Sequence, residues 1–248
     1  MAAQEKPQVL VEKPGDAPIY TFNPRLGLEK EFYPKSSVPQ TPDMMAWSLD
    51  DGLKFTLSDA AYARLTTQPA SVLVMGPDYE CEGFLHGLPK VFKALERLAF
   101  VDIDLGTLGW LQRTAREKSL SGLKGKVELY HADFADMRIV PRKSFDVVIA
   151  DNVFTDTIWD YPNTRLAFAG KPPVPYAQMA ATLAQWGREA AALLKEEPPG
   201  MLYTIYNHPT TYLGEQGFHH RQPKGHSGHP LPYVLWCRDD SVFKPSSP

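Results

Sequence analysis

The residues of this chain best placed to do chemistry are a glycine and three carboxylates, each ending a short apolar run. Gly76 follows Ser71-Val72-Leu73-Val74-Met75, and Asp102 follows Leu98-Ala99-Phe100-Val101. Asp133 follows Val127-Glu128-Leu129-Tyr130-His131-Ala132, and Asp151 follows Phe145-Asp146-Val147-Val148-Ile149-Ala150. An ionised carboxylate accepts hydrogen bonds through two oxygens, which suits a pair of hydroxyls or an amino group. A glycine lets a ligand approach bare backbone. Tyr206 and His208 close a further run that starts at Met201, and an imidazole titrating near neutrality can act as a general base.

The runs that carry these residues read as strands. Continuous apolar stretches of this length suit strands buried on both faces, and helical patterns between them make βαβ units of a parallel sheet. Ligands of such sheets sit beyond the carboxyl ends of the strands, where Gly76, Asp102, Asp133 and Asp151 all fall. The patterns between the strands predict a helix near Leu88 to Arg97 and another from Leu105 to about Ser119, with Asp104 as its N-cap. Tyr176 to Lys195, rich in alanine and followed by Pro198-Pro199-Gly200, is the clearest helix. Ser58-Asp59 starts a short helix from Ala60 to Leu65, and Met201–Tyr206 and Tyr233–Cys237 read as two more strands.

Before this core lies a segment dense in proline, with Pro7, Pro14, Pro18, Pro24, Pro34, Pro39 and Pro42. Repeated prolines oppose long helices and central strands. The same segment carries Tyr20, Phe22, Phe32, Tyr33 and Trp47, so it is expected as an arm over residues 1–59, packed on a core of residues 60–248. Residues 155–175, with Trp159 and Tyr161, read as a long loop, which in a compact domain either is functional or conceals an element of its own. Asp156, Asp160 and Tyr161 there could line a pocket.

Composition narrows the class of partner. With 43% apolar residues the chain can bury a sizeable core. A net charge of only −3, with Lys and Arg scattered, does not favour a nucleic-acid backbone as the obligatory partner. Cys81 and Cys237, far apart, make no disulfide framework. The N-terminus lacks the apolar centre of a signal peptide, and no run approaches the ~18 residues of a membrane span. The expectation is a cytoplasmic protein without membrane contact, alone, as a homodimer or with a protein partner.

At its strand ends the chain resembles the class I S-adenosylmethionine-dependent methyltransferases, over roughly residues 60–206. The resemblance implies a doubly wound, Rossmann-like α/β fold behind the proline-rich N-terminal arm. Gly76 stands where that family begins its glycine-rich cofactor loop, with Pro77 and Asp78 beside it. Asp102, with Ile103, stands where the family keeps an acid for the ribose hydroxyls, and the step of 26 residues from Gly76 is close to one βαβ unit. Asp133 and Phe134 stand where the family meets the adenine, and Asp151 where the methyl group meets the acceptor. These are the cofactor-binding candidates the resemblance implies. Asp151, Tyr206 and His208 are the catalytic ones.

The departure is in the first loop. Where the family alternates glycines, this chain has Gly76, Asp78 and Glu80, a degenerate version of the motif. If they face the ligand, acidic side chains there repel a carboxylate and favour an ammonium or a sulfonium. Three readings follow: methyl transfer to a small-molecule acceptor; aminopropyl transfer similar to that of spermidine synthase, which uses a decarboxylated cofactor; or a methyltransferase-like binding subunit without catalysis. Separately, His219, His220, His226 and His229 form a histidine-rich tract. With Arg221 and Lys224 among them it reads as a flexible polar loop, and no metal site is assigned.

Overall fold

The computed structural model describes residues 8–10, 19–22, 42–77, 82–117, 126–150, 153, 170, 172–205, 210–222 and 233–245. Their centre is β3 (Ala70–Met75), hydrogen-bonded on both edges. On one side lie β4 (Leu95–Asp102), β5 (Lys126–His131), β2 (Ile19–Phe22) and β1 (Gln8–Leu10). On the other lie β6 (Val147–Ala150), β7 (Met201–Ile205), β9 (Tyr233–Cys237) and β8 (His219–Arg221). The nine strands form one sheet, in which the run from β2 to β7 is parallel and β1, β9 and β8 pair antiparallel. The chain winds outward from β3 through β4 to β5, then returns to β6 on β3's other edge, which is the doubly wound arrangement with its switch point between β3 and β6.

Alternation along the strands splits the core in two. Val72, Val74, Leu98, Phe100, Val147 and Ile149 join one buried cluster, whereas Leu73, Met75, Ala99, Val101, Val148 and Ala150 join the other. The first face is covered by α1 (Pro42–Thr56), α2 (Asp59–Thr67), α3 (Glu82–Val91) and α4 (Leu105–Glu117), through Leu53, Leu65, Leu88 and Leu111 among others. The second is covered by α5 (Tyr176–Leu193) and α6 (Thr210–Glu215), through Ala190, Leu193 and Leu213. Among the described residues no helix is long and apolar enough to cross a membrane. Cys237 is a buried free thiol, and Cys81 lies outside the described residues.

Several expected elements are displaced. The helix expected at Leu88 to Arg97 runs from Glu82 to Val91 instead, and β4 begins at Leu95. Glu96 and Arg97 look helical by type, but Arg97 is satisfied across the sheet: its Nε donates to Glu128 Oε2 at 2.7 Å, and its guanidinium lies 4.3 Å from the centre of the Phe145 ring. The fourth strand starts at Val147 and not Phe145, because Asp146 does other work. Its Oδ2 accepts from Ser71 N at 2.8 Å and from Lys195 Nζ at 2.7 Å. The polar loop expected from His219 begins as a strand: His219–Arg221 pairs with β9, and the His220 ring lies 4.8 Å from that of Trp236.

Within the span expected as an arm, residues 42–56 are helical, and Leu49, Leu53 and Leu57 are almost wholly buried in the first cluster. The helix begins at Pro42 itself, since proline is tolerated at a helix start. Leu53→Ala is expected to cost roughly 2–5 kcal/mol, as for other buried leucines. Denaturant unfolding checks this, and a chain begun at residue 60 should then lose its cooperative transition.

Candidate functional site

The site lies on the carboxyl ends of β3, β4, β5 and β6, and pairing brings these ends level. Met75 is opposite Val101 on one side and Ala150 on the other, and Asp102 is opposite His131. Gly76, Asp102 and His131 therefore form one row across the carboxyl end of the sheet.

Gly76 has φ +60°, a conformation open to glycine and strained for most residues. Its amide donates to Val101 O at 2.9 Å. A Cβ built on it would stand 2.7 Å from Val153 Cγ2 and 3.3 Å from Phe134 Cζ. The glycine is thus required by its own turn and by the side chains packed over it, whatever a ligand asks of it. Pro77 is buried and has no N–H to offer. Asp78 lies outside the described residues.

Asp102, 9% exposed, ends β4. Its Oδ1 accepts from Asp104 N at 2.8 Å, closing a tight turn over Ile103. Asp104 is the expected cap: its Oδ1 accepts from Gly106 N at 2.9 Å, and its Oδ2 accepts from Thr107 N and from Thr107 Oγ1. The two acids thus divide the work, Asp104 holding the helix end and Asp102 the strand end.

Beyond β5, Asp133 Oδ1 accepts from Ala135 N at 2.8 Å in a second tight turn. Phe134 is buried, with its ring edge-on to Trp186 at 5.1 Å and its tip toward Gly76. Helix α5 ties this loop down: Gln185 Nε2 donates to Ala135 O at 2.8 Å, and Glu189 Oε2 accepts from Met137 N at 3.0 Å and Arg142 Nη2 at 2.6 Å. The structure thus places Gly76, Pro77, Asp102, Ile103, Asp133 and Phe134 along one edge. Asp151, Tyr206 and His208 lie outside the described residues. Among the described residues no cluster of His, Cys, Asp or Glu could hold a metal.

His131 was not foreseen as part of this site. It is 1% exposed and its Nε2 lies 3.0 Å from Ile103 O. A histidine at the end of a strand, one residue before Ala132-Asp133, is the hint the sequence offered. The helix residues Gln185, Trp186 and Glu189 had no such hint, because their partners lie about fifty positions away.

No protein-family model matches the chain, and no curated protein matches it in sequence. Among solved structures it is similar to magnesium protoporphyrin IX methyltransferase from Synechocystis PCC 6803 with bound S-adenosylmethionine, at 15% identity over 79% of each chain and a TM-score of 0.47. It is also similar to precorrin-6y C5,15-methyltransferase from Geobacter metallireducens GS-15, at 11% identity over 83% of this chain and 92% of that one, TM-score 0.46. A third is a possible exported protein from Bordetella parapertussis, at 15% identity and TM-score 0.46, which matches 72% of this chain and of whose length this chain spans 65%. The assignment of a doubly wound α/β fold rests on the strand order itself.

Two consequences are measurable. Gly76→Ala forces a positive φ and a 2.7 Å contact on the new methyl group, and is expected to cost on the order of 1–3 kcal/mol. A drop in thermal midpoint of several degrees in calorimetry checks this. Burial holds the His131 imidazole below its ordinary value of about 6.5, so the unfolded chain takes up a proton where the folded one does not. The stability this group contributes is complete above that ordinary value and is lost as the pH falls below it. Between pH 7.5 and 5.5 (roughly one unit either side of that value), the thermal midpoint of the parent should fall more steeply than that of His131→Gln.

Proposed function

We propose that the chain binds S-adenosylmethionine across the β3–β6 switch point and directs methyl transfer to a small-molecule acceptor. The observation that carries this reading is the Asp102 carboxylate, held at the end of β4 by a turn and one strand away from the point where the winding reverses. In this reading Asp102 accepts from the ribose hydroxyls, Ile103 and Asp133 flank the adenine, and Gly76 and Pro77 border the amino-acid end. Phe134 shapes the floor by packing on Gly76. When bound, S-adenosylmethionine would supply a sulfonium methyl group for in-line displacement, with the thioether of S-adenosylhomocysteine as the leaving group. The chain's part is mainly to position the two reactants. Asp151 borders the acceptor, and His208 with Tyr206 removes a proton where the acceptor has one to lose. The scattered basic residues support a small acceptor over a polyanion.

A second reading rests on the first loop. Gly76 N is committed to Val101 O, and Pro77 has no N–H, so neither residue can donate a backbone hydrogen bond to a carboxylate. With Asp78 and Glu80 following, this favours a nucleoside whose extension is cationic, as in aminopropyl transfer, or a binding subunit that takes the nucleoside alone.

Calorimetric titration separates these readings. The first expects micromolar binding of S-adenosylmethionine and S-adenosylhomocysteine, and absence of binding at millimolar ligand would end it. Binding confined to the decarboxylated cofactor selects aminopropyl transfer, and binding confined to adenosine selects the binding subunit. Asp102→Ala is expected to weaken S-adenosylhomocysteine about 10- to 100-fold, the worth of hydrogen bonds to a charged group.

A further inference from the structure

We infer that His131 is a positioning residue for Asp102, acting through the peptide unit between Ile103 and Asp104. Both ends of that peptide are anchored. Its carbonyl, Ile103 O, lies 3.0 Å from His131 Nε2, and its N–H, on Asp104, donates to Asp102 Oδ1 at 2.8 Å. A carbonyl oxygen can only accept, so the first contact puts a proton on Nε2. The ring thereby sets the plane of the peptide, and the peptide sets which way an oxygen of the carboxylate turns. Rotation of this peptide about its flanking bonds would remove both hydrogen bonds together. The relay therefore has one cooperative arrangement.

The surroundings make His131 the element that selects this arrangement. Ala132 N donates to Asp102 O at 3.0 Å, so the backbone on either side of the ring is already pinned to the strand that ends in Asp102. Asp104, downstream, is held by the amides and hydroxyl at the start of α4. Between these two fixed points only the Ile103–Asp104 peptide is left to be oriented, and His131 is the side chain that reaches its carbonyl. His131, Asp104 and Asp102 are all buried, so water competes poorly for these bonds.

The inference rests on the proposed role of Asp102 toward a nucleoside, and the experiment keeps the two apart. S-adenosylhomocysteine is titrated calorimetrically into the parent, His131→Phe, His131→Gln, Asp102→Ala and the double variant His131→Phe/Asp102→Ala, with thermal midpoints measured alongside. Phenylalanine keeps the ring and loses the donor, whereas the glutamine amide keeps a donor of similar reach. The expected result is a five- to tenfold loss of affinity in His131→Phe, about the worth of one hydrogen bond. Recovery to within about twofold is expected in His131→Gln, and little further loss when His131→Phe is added to Asp102→Ala, because coupled sites are not additive. A merely structural role would lower the midpoint and reduce affinity equally in both backgrounds, and that result overturns the inference. Parent-like affinity in His131→Phe also overturns it and leaves the role of Asp102 standing. A parent that binds no S-adenosylhomocysteine removes both.

Discussion

The rest of this structure depends on β3 being hydrogen-bonded along both edges while buried on both faces. A strand in that position is lined with apolar side chains on both faces, and Val72, Leu73, Val74 and Met75 are accordingly fully buried, with the half-buried Ser71 near its start. Its partners run parallel to it, so each is reached by a crossover connection, and helices cover both faces. Winding out through β4 and β5 places α3 and α4 on one face. Continuing from β6 to β7 places α5 on the other. The helices that follow β3 and β6 thus lie on opposite faces, and the switch point falls between these two strands.

What happens at the carboxyl ends of these strands is decided by short polar bridges. Asp102, Asp104 and Asp133 each use a carboxylate oxygen to catch a backbone amide two residues on, which is how a chain leaves a buried strand without orphaned donors. The same geometry fixes the orientation of these carboxylates. The structural role of Asp102 is therefore compatible with the role proposed for it. Gly76 is different. Its positive φ and the closeness of Val153 and Phe134 are demands of the protein itself, so a glycine there says little about what approaches from outside.

Much of the fold was legible because burial on two faces leaves long apolar runs. Tyr233–Cys237 fell where expected, and Met201–Ile205 and α5 fell within two residues of it. The misplacement of α3 and of the start of β4 has one cause: Glu96 and Arg97 are polar residues in a strand, where Arg97 pairs with Glu128 on the neighbouring strand, thirty-one residues away, and Glu96 faces solvent. Helix α1 was hidden by its proline-rich approach, and its leucines show their purpose only once α3 lies beside them. In the site, the strand-end acids were visible as types at a spacing. The ties from Gln185 and Glu189 were not, since nothing local in α5 distinguishes a side chain that reaches a loop from one that faces water.

The amino-acid sequence by itself determined the parallel core, the places where its strands end, and the chemistry those ends can offer. Local rules suffice there, because apolar runs, a capping aspartate at position 104 and a helix-breaking Pro198-Pro199-Gly200 act within a few residues of themselves. Only the tertiary structure decided which strands are neighbours, and so that Gly76, Asp102 and Asp133 share one edge. It alone brought His131 to the Ile103 carbonyl and closed Val153 and Phe134 over Gly76. Those contacts join residues tens of positions apart, and their existence depends on the order in which the strands pair, which no local pattern encodes.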